Sequence, residues 1–344
     1  MPNEVLTEAI NRLTDGIDLA EEETASVLEQ IMSGNASEVQ TAAFLVALRA
    51  KGETVSEIVG LAKTMRQLSL KVDTEGMRLV DTCGTGGDKS QTFNISTAAA
   101  FVVAGTETKV AKHGNRSATS QCGSADVLEA LGADLNISAA AVAKSIKEVG
   151  IGFMFAPQYH RAMKYVVPVR KELGVRTIFN FLGPLTNPAN AEYQVIGVSD
   201  RYYLDEIANA LKLLGCKHGL VVHGQDGLDE ITVLGPTDVA EVFAEKDEIK
   251  TYTIEPEDFG IERVADKAIL RGGSAAENAA ILRDILDGET GARRDIVLIN
   301  AAAALYVCGR SNSIDQGVKL AAESIDSGRA KQKLEQYIEQ TRSD

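Results

Sequence analysis

Apolar residues recur at helical spacing through the first part of the chain. Residues 3 to about 70 show this periodicity throughout and contain no run that is typical of a strand. The segments 37–40 and 54–57 have the pattern of capping boxes, each directly before an apolar-periodic stretch. The pattern therefore predicts a small bundle of helices at the N-terminus.

From Met77 onward, apolar runs typical of strands alternate with helical stretches. The strand-like runs lie at 77–83, 108–112, 151–156, 176–179, 193–198 and 218–223, with further ones at 231–234, 238–244 and 249–254. The main helical stretches lie at 96–104, 125–131, 138–149, 203–214, 274–287, 293–308, 314–327 and 329–341. This alternation predicts an α/β fold, in which a mostly parallel central sheet is flanked by helices and follows the small all-helical N-terminal part.

A glycine-rich loop follows the first predicted strand and leads into a helix. Gly84, Gly86 and Gly87 stand within four positions, and the hydroxyl- and amide-rich stretch 94–97 comes shortly after them. Glycines let a backbone turn its N–H groups toward a ligand at close range, and a helix N-terminus favours an anion. The spacing matches neither a Walker A loop nor a dinucleotide fingerprint. The loop predicts a phosphate or pyrophosphate site, with a purely structural turn as the alternative.

A second loop with the chemistry of an anion site follows the next predicted strand. Residues 112–124 supply the cations Lys112 and Arg116 together with several hydroxyls, and they open another helix. The hydroxyls belong to Ser117, Thr119, Ser120 and Ser124. Cationic and hydroxyl donors suit the many acceptor oxygens of a polyphosphate. Two such strand–loop–helix units predict one site for a phosphorylated ligand.

The overall charge limits the classes of partner. The chain of 344 residues carries a formal net charge of −14, which argues against non-specific binding to nucleic acid or anionic membranes but not against a local basic pocket. The first residues show neither the basic nor the apolar region of a secretory signal. The four cysteines lie far apart, so neither a zinc site nor a disulfide framework is expected. We therefore expect a cytoplasmic protein without a nucleic-acid or membrane partner.

Two adjacent carboxylates, Asp229 and Glu230, stand at a predicted loop-to-strand boundary. Such a pair suits a hard cation such as Mg²⁺, which takes one or two protein carboxylates together with phosphate oxygens of a substrate. On the residues alone, a solvated acidic turn is the better explanation of the pair.

Five segments of this sequence, in their order along the chain, resemble the anthranilate phosphoribosyltransferase family of tryptophan biosynthesis. The segments read GTGGD, NIST, KHGNR, GSADVLEALG and TIFNFLGPLTNPA. The resemblance spans essentially the whole chain. GTGGD with a KHGN loop also occurs in the wider nucleoside phosphorylase class, whereas the run 170–188 and the pair Asp229 and Glu230 point more narrowly to the anthranilate enzymes.

The resemblance implies transfer of the phosphoribosyl group of 5-phosphoribosyl 1-diphosphate to the amine of anthranilate, with release of pyrophosphate. It implies a helical domain at 1–72, completed by a crossover segment near 165–180, and an α/β domain at 73–344. A homodimer through the helical domain is also implied. The sequence offers a set of apolar residues for that interface or for the core of the bundle, namely Ala42, Ala43, Phe44, Leu45 and Leu48. Association with an amidotransferase or anthranilate synthase component is left open.

The resemblance also assigns site residues. It implies that phosphoribosyl diphosphate contacts Gly84, Gly87, Asp88, Thr92, Asn94, Ile95, Ser96, Thr97, Lys112, His113, Gly114, Asn115, Arg116, Ser117, Ala118, Thr119, Ser120 and Ser124. It implies that anthranilate contacts Gly84, Asn115 and Arg170. It further implies two Mg²⁺ ions per subunit, with Ser96, Asp229 and Glu230 as ligands. No acid, base or nucleophile is expected, because positioning and electrostatics suffice for a nucleophilic aryl amine.

Some positions qualify the resemblance. Four residues are expected to line the access channel for the aromatic substrate, namely His113, His160, Met163 and Pro184. Gln121, Cys122 and Arg161 depart from the usual pattern of the family, the first two in the loop that begins with KHGNR and the third beside His160. Two alternatives on the same fold are a pyrimidine nucleoside phosphorylase and a non-enzymatic nucleic-acid-binding paralogue.

Overall fold

The N-terminal part is a bundle of four helices, as predicted. The structure, a computed structural model, describes residues 1–117 and 121–343. The four helices are α1 (Glu4–Thr14), α2 (Glu21–Met32), α3 (Glu38–Lys51) and α4 (Val55–Leu68). Thr54 and Glu57 form the predicted reciprocal capping box at the start of α4. Ser37 caps α3 by accepting the Gln40 N–H (3.2 Å), but the Gln40 side chain donates to the Asn3 carbonyl (3.0 Å) and so joins α3 to α1.

The sheet of the larger part confirms the predicted fold class. Its strands are β1 (Leu79–Gly84), β2 (Lys109–Gly114), β3 (Ile151–Phe155), β4 (Tyr193–Gly197), β5 (His218–Gly224), β6 (Thr237–Phe243) and β7 (Glu248–Ile254). They lie in the order β3-β2-β1-β4-β5-β6-β7. The first five strands run parallel, and β6 and β7 extend the sheet as antiparallel strands.

Two predicted strands are wrong. The run 176–179 leads into α10 (Phe179–Leu182), because the Asn180 side chain accepts the Thr177 N–H (3.0 Å) and closes a turn in place of a ladder. The run 231–234 is irregular backbone. Its N–H groups are satisfied by side chains, since Ile231 donates to Asn300 Oδ1 (3.0 Å) and Thr232 donates to Thr237 Oγ1 (3.1 Å).

Helices cover both faces of the sheet. They are α5 (Ile95–Ala104), α6 (Ser124–Leu131), α7 (Ala139–Glu148), α8 (Ala156–Tyr159), α9 (Val167–Leu173), α11 (Tyr203–Leu213), α12 (Ala275–Leu286), α13 (Ala292–Val307), α14 (Ile314–Asp326) and α15 (Arg329–Ser343). Nearly every residue of α5 is buried, which explains why this helix is apolar on all sides. None of the helices in the described residues combines the length and apolar character needed to cross a membrane.

The segment after α8 packs against the helical bundle. Val166, Val169 and Ile178 are at most 4% exposed and belong to the same apolar core as residues of α1 to α4. That the segment near 165–180 is a crossover that completes the helical domain stays a prediction. The same core continues into β4 and α11, so the division of the chain at residue 72 stays a prediction.

The residues considered for a dimer interface divide into two groups. Phe44, Leu45 and Leu48 are fully buried in the bundle, so they form its core and do not supply an outer surface. Ala42 and Ala43 are only half-buried.

Candidate active site

The predicted site residues gather where the parallel strands end. The chain passes from β1 to β2 on one side and later returns to β4 on the other, so the strand order reverses between β1 and β4. The loops that follow β1, β2 and β5 all leave this edge, and Gly84 pairs with Gly197 at the end of β1 and β4. A crevice at such a reversal is the usual ligand site of an open α/β sheet.

Asp229 packs directly against the first glycine-rich loop. Its Oδ2 accepts the N–H of Gly86 at 2.7 Å. A Cβ on Gly84 would lie 2.2 Å from Asp229 Oδ2, and a Cβ on Gly197 would lie 1.6 Å from the Asp229 carbonyl oxygen. Gly197 is therefore required so that the backbone of the loop after β5 can cross the end of β4, and Gly84 leaves room for the Asp229 side chain.

The carboxylates at this crossing are destabilised as anions. Burial raises the pKa of Asp229 to about 7, and the charge of Asp88 adds to the rise. Burial also raises the pKa of Glu230 well above its ordinary value, with a further contribution from Asp229 and an opposing one from Lys112. Two crowded carboxylates with one lysine as counter-charge would gain from a bound divalent cation.

Ser96 lies beside the same carboxylates. Its backbone makes a hydrogen bond to Glu230, and its hydroxyl oxygen accepts from Lys112 Nζ at 3.2 Å. Lys112 is buried and also donates to the Thr82 carbonyl. The structure thus brings together Ser96, Asp229 and Glu230, the three residues predicted to hold Mg²⁺. No cluster of three or more His, Cys, Asp or Glu side chains suited to a metal occurs in the described part of the chain, so substrate oxygens would have to complete the coordination of an ion here.

The start of α5 is anchored from the C-terminal half of the chain. Asn94 precedes the helix, and its Oδ1 accepts from Asn278 Nδ2 at 2.9 Å. Thr92 forms an isolated antiparallel bridge with Arg271. Ile95, Ser96 and Thr97 then begin the helix, so the predicted phosphate contacts of this stretch stand on a rigid element.

The loop after β2 is organised by its own helix. The Asp126 side chain accepts the N–H groups of Gly123 (2.8 Å) and Ser117 (3.2 Å), and the Ser124 hydroxyl donates to the Asn115 carbonyl (3.2 Å). The Arg116 guanidinium turns to α6 and pairs with Asp126 and Glu129. Its predicted contact with the ligand is therefore indirect at most in this conformation. The predicted contacts Ala118, Thr119 and Ser120 lie outside the described residues.

His113 and His160 form a buried pair beside β2. Their ring centroids lie 5.1 Å apart, and His113 Nδ1 lies 3.2 Å from the Gly183 carbonyl oxygen. Burial lowers the pKa of His113 to about 3, with His160 adding to the fall, and burial lowers the pKa of His160 to about 4. Both rings are neutral near pH 7 and are weak bases. They are suited to a channel wall, together with the buried Pro184 and the half-buried Met163.

Arg170 presents a cation without a protein counter-charge. It lies on α9, and its Cζ stands 5.6 Å from the centre of the Phe179 ring. Its guanidinium makes no hydrogen bond or ion pair with any residue that the structure describes, although burial lowers its pKa. A partly buried guanidinium of this kind suits an anionic ligand, above all a planar carboxylate.

The positions that depart from the family pattern have ordinary surroundings. Gln121 and Arg161 are exposed, whereas Cys122 is buried with its Sγ 3.4 Å from Asn94 Oδ1. Burial raises the pKa of the Cys122 thiol to about 11 and raises that of Cys83 as well. Neither thiol is therefore activated as a nucleophile, as the sequence led us to expect.

Sequence reasoning missed Arg176 and the pair of Asp81 and Asn187. The Arg176 guanidinium donates to the Gly87 carbonyl across 89 positions of sequence. Asn187 Nδ2 donates to Asp81 Oδ2 (2.7 Å) across 106 positions, directly beneath the site. No local sequence pattern could have predicted either contact, because each depends on how the chain between β3 and β4 packs against the sheet.

Comparisons with known proteins match this chain over nearly its whole length. The family models described as glycosyl transferase family, helical bundle domain, and glycosyl transferase family, a/b domain, match residues 7–69 and 76–331. Anthranilate phosphoribosyltransferase of Herpetosiphon aurantiacus is 52% identical over 97% of this chain and 98% of its own length. The crystal structure of anthranilate phosphoribosyltransferase from Thermus thermophilus matches with a TM-score of 0.91 at 44% identity, covering 97% of this chain and 99% of that one. The enzyme of Saccharomyces cerevisiae in complex with phosphoribosyl diphosphate (PRPP) and Mg also matches with a TM-score of 0.91, at 30% identity over 99% of both chains.

Proposed function

This chain belongs to the anthranilate phosphoribosyltransferase family, and we propose that its two anion loops, Arg170 and the pair Asp229 and Glu230 hold the substrates of that reaction. The enzyme transfers the phosphoribosyl group of PRPP to the amine of anthranilate and releases pyrophosphate. One observation carries the assignment of the site. Two loops with anion-binding chemistry and a pair of carboxylates short of counter-charge meet at the strand reversal between β1 and β4.

The diphosphate and the ribose phosphate would occupy the space between the two loops. The start of α5 offers the positive end of its dipole, and Lys112 adds a buried cation. The residues proposed as contacts within the described part are Gly84, Gly87, Asp88, Thr92, Asn94, Ile95, Ser96, Thr97, Lys112, His113, Gly114, Asn115, Ser117 and Ser124. Arg116 would act through its ion pairs with α6.

Magnesium is the cofactor that fits this donor set. The proposed ligands are Ser96, Asp229 and Glu230, and we propose two ions per subunit. Support comes from the burial of both carboxyl groups, which together with the charge of a neighbouring carboxylate raises the pKa of each, because a bound cation would offset both effects. Bound Mg²⁺ would offset the charge that develops on the departing pyrophosphate. Gly86 N–H donates to Asp229 at 2.7 Å, so this side chain is held at the diphosphate loop before any ion arrives.

Anthranilate would bind between the crossover segment and the second loop. Arg170 can offer two parallel donors to the carboxylate, and its lack of a partner among the described residues leaves both of them available. Gly84 and Asn115 would contact the ring from the ends of β1 and β2. The neutral rings of His113 and His160 would line the approach.

The chain would act by holding its substrates, without proton transfer through a side chain. An aryl amine is neutral near pH 7 and already nucleophilic, so it requires no strong base, and the lowered pKa of His113 makes this histidine a poor general base. Binding the amine and the anomeric carbon in line makes the displacement effectively intramolecular. Apolar walls around the two substrates would keep water from hydrolysing the activated sugar.

A homodimer through the bundle and a cytoplasmic location remain part of the proposal. Two valines of α3 support an interface on this helix, since Val39 is 78% exposed and Val46 is 44% exposed. Sedimentation would report a species of twice 36.7 kDa if this proposal holds. Association with an amidotransferase component stays open.

A substrate panel tests the activity. Consumption of anthranilate, followed by its fluorescence, should require both PRPP and Mg²⁺ and should stop when the ion is chelated. Phosphate-dependent release of thymine or uracil from its nucleoside should be absent. Activity in the second assay and none in the first would favour the pyrimidine nucleoside phosphorylase alternative. A mobility-shift titration with DNA and RNA at two salt concentrations tests the nucleic-acid-binding alternative.

A further inference from the structure

Arg176 connects the crossover segment to the diphosphate loop. Its guanidinium donates to the Gly87 carbonyl, and its Nη1 lies 3.5 Å from Ser199 Oγ. Its own carbonyl accepts from Arg49 Nη1 of α3 at 2.7 Å. One residue therefore touches the helical bundle with its backbone and the glycine-rich loop with its side chain.

The contact with Gly87 fixes the direction of a peptide group. Gly87 has φ of +77°, a conformation in which a side chain is disfavoured, and a Cβ there would lie 2.9 Å from Arg176 Nη2. A trans peptide points its C=O and its N–H to opposite sides. Because Arg176 holds the Gly87 oxygen, the N–H of Asp88 faces away from Arg176, and no described residue accepts it.

The rest of the loop is held at the same place. Ser199 N–H donates to Thr85 Oγ1 at 3.1 Å, and Thr85 N–H donates to the Gly197 carbonyl at 2.9 Å. Arg176 thus extends an anchor that begins at the end of β4. Glycine-rich backbone on its own would lose more conformational freedom when it orders around a ligand.

The same segment carries the proposed anthranilate ligand. α9 ends at Leu173, Gly174 follows with φ of +62°, and Arg176 stands six positions after Arg170. Arg170 in turn stands 5.6 Å from the ring of Phe179, just beyond Arg176 in the chain. Movement of this short segment would therefore shift both guanidinium groups together.

We propose that Arg176 is a positioning residue that orients the Gly87–Asp88 peptide toward the diphosphate and couples PRPP binding to occupancy of the Arg170 pocket. The inference rests on the proposed placement of the diphosphate at Gly87 and Asp88. It deepens that proposal by assigning a role to a residue outside the substrate contacts.

The test is calorimetric titration of PRPP with Mg²⁺ into wild type, Arg176→Gln, Arg176→Lys and the control Lys171→Ala, which changes an exposed residue of α9. Losing a charge-assisted hydrogen bond should weaken PRPP binding about 10- to 150-fold in Arg176→Gln. Arg176→Lys should recover only part of the lost affinity. Its single ammonium keeps the positive charge but cannot bind the Gly87 carbonyl oxygen and Ser199 Oγ with the geometry of a guanidinium. Lys171→Ala should match wild type.

Repeating the titrations with benzoate, which has the carboxylate but no amine and cannot react, measures the coupling. Benzoate should strengthen PRPP binding to wild type and have no such effect in Arg176→Gln, although benzoate still binds. Wild-type PRPP affinity and intact coupling in Arg176→Gln would overturn the inference. Equal losses of PRPP and benzoate affinity, with no recovery in Arg176→Lys, would also overturn it and make the residue structural. If Arg176→Gln does not fold, the partial loss expected in Arg176→Lys decides alone.

Ser96→Ala separates this inference from the proposed site. Wild-type PRPP affinity in Ser96→Ala would mean that the diphosphate does not lie at the start of α5, and the proposed function of the loop would fail. Weak binding by Ser96→Ala together with wild-type binding by Arg176→Gln would leave the site intact and reject only the role of Arg176.

Discussion

The two anion loops look alike in sequence but are held in different ways. The loop after β1 is fixed by residues far along the chain, since Gly86 contacts Asp229 across 143 positions and Gly87 contacts Arg176 across 89. The loop after β2 is fixed mainly by its neighbours, because Asp126 accepts the N–H groups of Ser117 and Gly123, nine and three positions away, although the Cys122 carbonyl also accepts from Asn94 Nδ2 at 3.2 Å. The shape of the first loop therefore depends on contacts from distant parts of the chain, whereas the shape of the second depends mainly on α6.

From this difference we expect the two loops to have different functions. A loop whose shape depends on the crossover segment and on the loop after β5 can respond when a second substrate or a metal binds there. A loop whose shape depends on one helix can offer the same donors at all times. Variants that disturb distant contacts should therefore affect coupling between substrates, and variants that disturb α6 should affect one affinity only.

The largest effect is expected from removing the carboxylates of Asp229 and Glu230, which lie far from the first loop in sequence. Asp229→Ala with Glu230→Ala should lower kcat by roughly 1000-fold or more, because stabilisation of the leaving group by a metal is worth several kcal/mol. The loss of kcat is measured as steady-state turnover at limiting and at saturating Mg²⁺. Glu289→Gln and Glu262→Gln change exposed carboxylates outside the site and serve as controls. Wild-type turnover in the double variant at limiting Mg²⁺ would falsify the role of the pair.

A smaller and more selective effect is expected at Arg170. Arg170→Ala should raise the KM for anthranilate by about 30- to 150-fold, since a charge-assisted bidentate contact contributes roughly 2–3 kcal/mol. The KM for PRPP should change far less. Arg170→Lys should recover only part of the loss.

Aniline provides the matched substrate control for Arg170. It lacks the carboxylate, so it should be a poor substrate of wild type and should lose little more in Arg170→Ala. If Arg170→Ala raised the KM values for anthranilate and PRPP equally, or changed neither, Arg170 would be structural and the anthranilate pocket would lie elsewhere.

The smallest effect is expected at Asp126. Asp126→Asn should raise the KM for PRPP by about 3- to 10-fold without changing the coupling to anthranilate, because the hydrogen bonds it weakens are local. Burial opposes ionisation of Asp126, but hydrogen bonds from Gly123 and Arg116 lower its pKa overall. Its contribution to stability is therefore present above the ordinary carboxyl pKa and is lost as pH falls through the lowered folded value.

Urea unfolding at neutral and at acidic pH measures that contribution. The difference in free energy of unfolding between wild type and Asp126→Asn should be larger at neutral pH and should shrink in acid. An equal difference in unfolding free energy at both pH values would contradict the stabilising role of the ionised Asp126 side chain. A loss of coupling between PRPP and anthranilate in Asp126→Asn would contradict the proposed difference between the two loops.

The sequence predicted the parts of this molecule that depend on local pattern. The bundle, most strands and the start of α5 follow from periodicity, capping residues and glycines, and the resemblance to the family assigned the contacts. The errors at 176–179 and 231–234 arose where side chains of Asn180, Asn300 and Thr237 satisfy the backbone in place of a ladder. The roles of Arg176 and Asn187 could not be predicted, because their partners lie 89 and 106 positions away and are set by tertiary packing.

We propose that PRPP and the metal meet at the strand reversal, between the two loops and the pair Asp229 and Glu230. The most direct measurement is an anomalous difference map from crystals soaked with PRPP and Mn²⁺ in place of Mg²⁺. We predict Mn²⁺ peaks within coordination distance of Asp229, Glu230 and the Ser96 hydroxyl, with diphosphate oxygens completing the shell. Diphosphate density at the loops with no Mn²⁺ at the carboxylate pair, or Mn²⁺ bound only elsewhere, would contradict this placement of the metal.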